Sequence, residues 1–282
     1  GQWVAFGTGF AADGRAIPTL VSSDGVRWTE GPGAVKPMLG DPATEYWAPE
    51  VAHRDGKWFM YYSVGRGDQG HAMRVAVADR PEGPYVQAPY PVIDPGTCPF
   101  AIDASPFLHE GRWYLFYARD LLDTARPGTS LVVVPLDDPY RVSADFHVVA
   151  RAGHDWQIFQ RNRSMYDATY DWHTLEGPNC VAPARPGGPL RLLYSGGNWT
   201  NDTYGVDWFE GDHPLGEWRD TGGERPRLLS TAGSLVGPGH CAAFDGPDGR
   251  TLAYHAWDPA RTARRMHLAP LVDSGDGFAR IA

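Results

Sequence analysis

The sequence predicts an all-β protein of the β-propeller class, and three observations support this prediction. A turn followed by an aromatic strand recurs five times, at intervals of roughly 50 to 75 residues. Each interval has room for about four strands, which is the size of one propeller blade. No segment shows the 3.6-residue periodicity of an amphipathic helix, so strands are expected throughout the chain.

The recurring strand is the most readable element of each unit. Its copies lie at residues 3–7, 56–63, 111–117, 190–195 and 249–255. The last four copies follow a Gly-containing turn, and in three of them Asp or Glu comes just before the Gly. This pattern is typical of a β-hairpin, so these units are expected to begin as an antiparallel pair.

Further strands complete the later units. A third strand is expected at residues 72–78, 130–134, 204–208 and 265–268. Turns of the form Pro-x-Gly at 81–85 and 214–218 lead towards an outermost strand. Residues 151–172 do not fit the repeat, and we expect a long loop there, at the rim of the pocket.

Length and composition exclude several classes of function. The 282 residues are consistent with one domain over 1–282 that buries a sizeable core, because 42% of them are apolar. The formal charge of −9 argues against a nucleic-acid partner, and no apolar run is long enough to span a membrane. Three cysteines without a CxxC spacing support neither a disulfide framework nor a zinc site.

Three polar residues, Asp103, Glu176 and His240, lie in the first strands of the later units. First strands line one central channel in a propeller, so we expect these side chains to converge. Two carboxylates and a histidine in an aromatic-rich channel suit glycoside hydrolysis, in which one carboxyl group is protonated and another is ionised. Each residue also has a structural interpretation. Asp103 could satisfy strand-end amides, Glu176 could end a strand, and His240 could be a hydrogen-bonded core histidine.

Four short motifs occur in a fixed order along the chain. They are Trp-Ala-Pro-Glu-Val at 47–51, Ile-Asp-Ala-Ser-Pro-Phe at 102–107, Glu-Gly-Pro at 176–178 and Gly-Pro-Gly-His at 237–240. In this order they resemble the motifs of glycoside hydrolase family 43. The resemblance covers residues 46–282, which is nearly the whole chain.

The resemblance implies a five-bladed β-propeller that hydrolyses arabinosides or xylosides with inversion at the anomeric carbon. It implies Glu176 as the general acid, and Asp103 as the carboxylate that orients the acid and tunes its pKa. His240 would lie beneath the sugar, where some family members hold a calcium ion or a water cluster; no cofactor is otherwise expected. Trp47 would flank the sugar pocket, and Arg265 would hydrogen-bond a sugar hydroxyl or a carboxylate.

The general base of the family does not occur in the printed sequence. It is an Asp at the start of the first blade's inner strand, and the spacing of the later units places it shortly before Gly1. Asp13 and Asp24 cannot replace it, because both lie in turn signatures. We therefore expect an upstream segment that carries the base. The alternative is a propeller that lacks the base and binds carbohydrate without hydrolysing it.

Within the family, the expected activity is that of an exo-acting α-L-arabinofuranosidase. The Glu-Gly-Pro and Gly-Pro-Gly-His-Cys stretches are similar to those of arabinan-active members, and residues 151–172 are expected to block one end of the channel. A β-xylosidase and an arabinanase stay as alternatives. The expected partner is an oligosaccharide or polysaccharide. Secretion is the expected localisation, although no signal peptide is visible in the sequence.

Overall fold

The computed structural model describes residues 2–38, 45–94, 96, 98–143 and 145–281. Within these ranges the chain forms β-strands, turns and one 3₁₀ turn, and it forms no α-helix. The described part of the chain accordingly contains no helix with the length and apolar character needed to cross a membrane. The prediction of an all-β chain is confirmed at the level of secondary structure.

The chain packs as two compact units. The first unit consists of Gly1–Tyr117 and Val134–Asp145, and the second consists of Ala118–Val133 and Phe146–Ala282. Each unit is built from antiparallel meanders, in which most strands pair with the strand that precedes or follows them in sequence. This pairing is the arrangement that the repeated hairpin signals predict.

The first unit holds two complete meanders and most of a third. Their strands are β1 (Trp3–Phe6), β2 (Thr19–Ser22) and β3 (Thr29–Glu30), then β4 (Glu45–Arg54), β5 (Lys57–Arg66), β6 (Gln69–Ala78) and β7 (Val86–Gln87), then β8 (Ala101–His109), β9 (Arg112–Leu121), β10 (Gly128–Asp138) and β11 (Arg141–Val142). The unit boundary falls within β9 and β10, so both of these strands contribute residues to each unit.

The second unit holds the last two meanders and a hairpin that precedes them. Its elements are β12 (His147–Ala150), the 3₁₀ turn Asp155–Gln157, β13 (Ile158–Met165), β14 (Ala168–Val181), β15 (Leu190–Gly196), β16 (Gly205–Gly211), β17 (Trp218–Asp220), β18 (Val236–Gly246), β19 (Gly249–Trp257) and β20 (Arg264–Pro270). The strand β14 pairs with β13 along its first half and with β15 along its second half.

Two hairpin turns form where the sequence predicts them. Asp55 and Gly56 have φ angles of 52° and 75°, and Glu110 and Gly111 have φ angles of 49° and 79°. Two consecutive residues in the left-handed region match the right-handed twist of the strands on either side. The acidic residue followed by Gly therefore sets β5 beside β4 and β9 beside β8.

The second strands of two meanders, β5 and β15, are deeply buried. Residues 59–65 of β5 are all buried, and so are all seven residues of β15. A strand that is covered on both faces has a nearly continuous apolar sequence rather than an alternating one. The runs at 56–63 and 190–195 are therefore core strands, and each pairs with the first strand of its meander.

Residues 151–172 differ from the prediction of a long loop. They contain the 3₁₀ turn, β13 and the start of β14, which form a β-hairpin. The register of this hairpin shifts twice, between Ile158 and Gln160 and between Gln160 and Arg163. These irregularities interrupt the alternation of apolar and polar side chains, so the two-residue period of a strand is not visible in the sequence.

Candidate active site

The first strands of three meanders bend at the same kind of β-bulge. One extra residue is inserted into β4, β14 and β18 at equivalent places, between Trp47 and Glu50, Glu176 and Asn179, and Gly239 and Ala242. A bulge of this kind bends its strand and redirects a side chain, and it is over-represented beside active sites. All three bulges fall on motifs that the sequence analysis singled out.

The backbone at these positions is left-handed. The φ angle is 48° at Ala48, 55° at Gly177 and 47° at His240, and it is 60° at Asp103 on β8. Residues other than Gly adopt this conformation at a cost of roughly 1–3 kcal/mol, and such strain persists only where the surrounding packing enforces it. Two of the predicted site residues, Asp103 and His240, thus occupy strained positions.

A hydroxyl group binds the backbone N–H of each non-glycine residue at these positions. Ser195 Oγ accepts from His240 N at 2.7 Å, and Ser63 Oγ accepts from Asp103 N at 3.1 Å. Thr8 Oγ1 accepts from Ala48 N at 3.0 Å in the same way. Each hydroxyl lies on or next to an earlier meander and holds the bulged strand of the next one. Because a buried N–H needs a partner, these bonds stabilise the strained backbone.

Glu176, the predicted general acid, is oriented by a tyrosine. Its Oε1 accepts a hydrogen bond from the Tyr204 hydroxyl, with 2.5 Å between the two oxygens. The Tyr204 ring is buried against Gly239, where an added Cβ would lie 1.9 Å from Cε1 of the ring. The second glycine of the Gly-Pro-Gly-His motif therefore makes room for the residue that holds the candidate acid.

The imidazole of His240 packs against the Glu-Gly-Pro motif. A Cβ added to Gly177 would lie 3.2 Å from His240 Nδ1, so a glycine allows the close approach as well as the positive φ. Burial lowers the pKa of His240, the charge of Glu176 raises it, and the charge of Arg264 lowers it further. His240 is consequently a neutral imidazole near neutral pH.

A second histidine, His255, completes this cluster. Its ring stacks on Tyr204 with 5.9 Å between the ring centroids and 8° between the planes, and it faces His240 at 6.5 Å. An Arg264 N–H donates to His255 Nε2 at 3.1 Å, which requires that nitrogen to be unprotonated. Burial, followed by the charges of Arg264 and His240, holds the pKa of His255 well below its usual range.

The cluster in the second unit can therefore position one carboxyl group for proton transfer. Glu176 is fixed by a phenol hydroxyl, and the two histidines beside it carry no charge near neutral pH. A carboxyl group that a hydroxyl holds in one orientation, with the neutral imidazole of His240 nearby and His255 stacked on the same tyrosine, is suited to act as a general acid.

The predicted residues of the first unit are fixed by different neighbours. Asp103 is 6% exposed, and its backbone is held by Ser63. The Trp47 ring packs on the His71 imidazole, with 4.0 Å between the centroids. His71 is itself held by a bond of 2.8 Å between Nε2 and the Gly67 carbonyl, and burial lowers its pKa. Trp47 thus rests on a neutral, buried ring.

Arg265 does not join the cluster of the second unit. Its side chain is 67% exposed, and its guanidinium lies 3.7 Å from Asp258. The neighbouring Arg264 is the arginine that contacts His255 and influences His240. Successive side chains on a strand point to opposite faces, so only one of the two can lie beside the histidines.

The calcium ion or water cluster expected at His240 stays a prediction. Across the described ranges, no three His, Cys, Asp or Glu residues are grouped as metal ligands. Calcium prefers six to eight oxygen ligands, so an ion at His240 would be held through water.

Tyr204, His255 and His71 were not identified from the sequence as functional residues. His255 follows Tyr254 on β19 in the way that Ser63 follows Tyr62 and Ser195 follows Tyr194. Aligning the repeats at that tyrosine would have shown a histidine where two of the other units have a serine. No comparable signal marks Tyr204, because its contact with Glu176 spans 28 residues.

Comparison with known proteins agrees with this geometry. The family model described as "Glycosyl hydrolases family 43" matches residues 6–278. An extracellular exo-α-(1→5)-L-arabinofuranosidase of Streptomyces chartreusis is 25% identical over 77% of this chain and 64% of its own length. A β-D-galactofuranosidase of Aspergillus niger is 25% identical over 88% of this chain and 63% of its own length. The chain thus spans less than two thirds of the length of either relative.

Solved structures show the same fold. An endo-1,4-β-xylanase of Bacteroides thetaiotaomicron superposes with a TM-score of 0.81 and 26% identity, over 100% of this chain and 90% of that one. An α-L-arabinanase of Cellvibrio cellulosa, in complex with arabinohexaose, superposes with a TM-score of 0.74 and 20% identity, over 100% of this chain and 91% of that one. The predicted fold class, an all-β propeller, is confirmed by this likeness.

Proposed function

The chain belongs to glycosyl hydrolases family 43, and on that premise we propose that it hydrolyses arabinose- or xylose-containing polysaccharides with inversion. Within this class of reactions, the activity that we propose is that of an exo-acting α-L-arabinofuranosidase. The exo-α-(1→5)-L-arabinofuranosidase of Streptomyces chartreusis supports this choice among the relatives. Because that relative is extracellular by name, we also propose that this protein is secreted.

One observation carries the proposal: the carboxyl group of Glu176, at the bulge of β14, is held by the Tyr204 hydroxyl. In an inverting hydrolysis, a protonated carboxyl group donates its proton to the departing glycosidic oxygen while a second carboxylate activates water on the opposite face of the sugar. Glu176 is proposed as the proton donor. Tyr204 restricts the orientation of its carboxyl group through the hydrogen bond to Oε1.

Asp103 is proposed as the carboxylate that assists the acid. Its strained backbone, fixed by Ser63, gives the side chain one defined direction. Trp47 is proposed to flank the sugar, because its large ring is supported from one side by His71. The general base is proposed to be a second carboxylate that activates water on the face of the sugar opposite Glu176, and it is not assigned among the described residues.

Product analysis tests this function. The protein should release arabinose from nitrophenyl α-L-arabinofuranoside and from arabino-oligosaccharides. Proton NMR of the first product should show the inverted anomer, since a single displacement by water changes the configuration once. Xylose release in place of arabinose would favour the β-xylosidase alternative. Binding of the oligosaccharides without release of any sugar would contradict the enzyme proposal and favour a carbohydrate-binding propeller.

A further inference from the structure

A cavity of about 520 Å³ lies in the second unit beside the candidate acid. Tyr204, whose hydroxyl binds Glu176, is one of its lining residues. The volume falls within the range of small-molecule sites, roughly 300–1,000 Å³. Apart from Tyr204, which orients the acid, none of the residues proposed above for catalysis or for sugar contact lines this cavity.

Three arginines from separate parts of the chain line the cavity and make its lining positively charged. Arg161, Arg225 and Arg280 all contribute to the lining. Arg161 is engaged by Asp171 at 2.8 Å, and Arg280 donates to the Ser230 hydroxyl. Arg225 makes no hydrogen bond or ion pair with any residue that the structure describes. Two guanidinium groups, Arg225 and Arg280, are thus without a carboxylate partner among the described residues.

Negative charge in the lining is smaller. Asp155 pairs with Arg126 at 2.6 Å, and this ion pair keeps the pKa of Asp155 low. Asp202 is the other acidic residue of the lining. Its backbone carbonyl is bound by the Thr231 hydroxyl, which fixes the loop and leaves the carboxylate to the solvent. The cavity therefore has an excess of positive charge and one available carboxylate acceptor.

An aromatic ring completes the lining. Trp156 is partly exposed, and it is held by the bond of 3.1 Å from its Nε1–H to the Gly223 carbonyl. It also stacks on Tyr194. An indole ring fixed in this way offers a flat apolar surface to the C–H face of a sugar ring. Arginines for a carboxylate, an aspartate for hydroxyl groups and an indole for a ring face are the contacts that an acidic sugar needs.

We propose that this cavity is a subsite for a uronic acid unit, such as glucuronate or galacturonate, on the polysaccharide substrate. The inference rests on the proposed function for the substrate, because Tyr204 connects the cavity to the acid. In this arrangement the sugar carboxylate binds Arg225 and Arg280, its ring lies on Trp156, and its hydroxyl groups donate to Asp202. Arabinose or xylose chains that carry acidic branches are then preferred over neutral chains.

Binding measurements test the subsite without any need for turnover. Calorimetric titration with methyl β-D-glucuronide and with methyl β-D-glucoside compares an acidic sugar with its neutral counterpart. The glucuronide should bind at least about tenfold more tightly, because each charge-assisted hydrogen bond contributes about that factor. Methyl α-D-galacturonide distinguishes a pectin-type from a xylan-type acid by its relative affinity. Equal affinity for glucuronide and glucoside would overturn the proposal. Equal affinity for glucuronide and acetate, a carboxylate without a sugar ring, would also overturn it.

Variants locate the site. Arg225→Gln should weaken glucuronide binding about tenfold or more and leave glucoside binding unchanged. Folding should be unaffected, since Arg225 has no partner among the described residues. Arg219→Gln is the matched control, because Arg219 is an exposed arginine of the same unit whose nearest carboxylate, Asp212, is 3.9 Å away. An unchanged glucuronide affinity in Arg225→Gln, or an equal loss in Arg219→Gln, would contradict the assignment.

The outcomes separate this inference from the proposed function. If the protein hydrolyses neutral arabinosides but shows no preference for glucuronide, the subsite proposal is overturned and the proposed enzymatic function stands. Glucuronide binding that depends on Arg225, in protein that releases no sugar, supports the subsite and counts against the enzyme.

Discussion

The Tyr204 hydroxyl donates a hydrogen bond to Glu176 Oε1 across 2.5 Å, and this contact joins the third strand region of one meander to the first strand of the same meander. It is made possible by Gly239, which belongs to the next meander. Three separate stretches of sequence thus converge on one carboxyl group. The contact predicts how substitutions of Tyr204 and of Glu176 affect the reaction.

Removal of the tyrosine hydroxyl should slow the reaction more than it weakens substrate binding. Tyr204→Phe keeps the ring that packs on Gly239 and loses the hydrogen bond to the acid. We expect kcat to fall about tenfold, equivalent to about 1.4 kcal/mol, with a smaller change in KM. Steady-state kinetics on an arabino-oligosaccharide measure this split. Tyr90→Phe, at a residue that is 78% exposed, is the control and should not change either parameter.

Gly177→Ala should destabilise the protein for two reasons that a control can separate. The alanine has to adopt a φ angle of 55°, and its Cβ would lie 3.2 Å from His240 Nδ1. Gly187→Ala imposes a comparable φ, 79°, in open space. We expect about 1 kcal/mol of lost stability at Gly187 and more at Gly177, measured by urea unfolding. Equal losses would show that crowding of His240 plays no part.

Loss of the hydroxyl beside His240 should leave a buried N–H without a partner. Ser195 is fully buried, and its Oγ accepts from His240 N at 2.7 Å. Ser195→Ala is therefore expected to cost about 1–3 kcal/mol in the free energy of unfolding. The exposed Ser164→Ala on β13 should change it by no more than about 0.5 kcal/mol. A cost at Ser195 as small as that at Ser164 would argue against the role of the hydroxyl.

The motifs that contain Asp103, Glu176 and His240 could be recognised from the sequence, because bulge, strain and glycine requirements leave local traces in the order of residues. The strands could be recognised for the same reason, since acidic-Gly turns and aromatic runs are local. Tyr204 could not be recognised in this way, because its contact with Glu176 spans 28 residues and no local pattern records it. His255 is marked in the sequence only by its place after Tyr254, where two other units have a serine.

The hairpin formed by β13 and β14 was missed for a different reason. Its two register shifts remove the alternation on which a strand prediction depends. The choice between Arg264 and Arg265 is also a matter of register. In β20 the residue opposite Trp257 is Arg264, and a shift of one residue would exchange the two arginines. The sequence does not determine that register.

Acid should destabilise the folded protein through His255. Burial, Arg264 and His240 hold the pKa of His255 well below 6.5, so it stays neutral in the folded state while the unfolded chain binds a proton below about pH 6.5. Its contribution to stability is therefore complete above that pH and is lost as the pH falls. Urea unfolding at pH 7.5 and 5.5 should show that the free energy of unfolding falls less on acidification in His255→Phe than in the wild type. The same loss in both proteins would contradict this pKa direction.

The most direct test of the account is the leaving-group dependence of Glu176→Gln. If Glu176 is the general acid, the variant should lose about 100-fold or more of kcat on arabino-oligosaccharides, whose leaving alcohol needs a proton. It should lose much less on a dinitrophenyl arabinoside, whose leaving group departs without one. Glu217→Gln, at an exposed residue just before β17, is the control. A wild-type rate on oligosaccharides, or the same loss on both substrates, would contradict the assignment of Glu176.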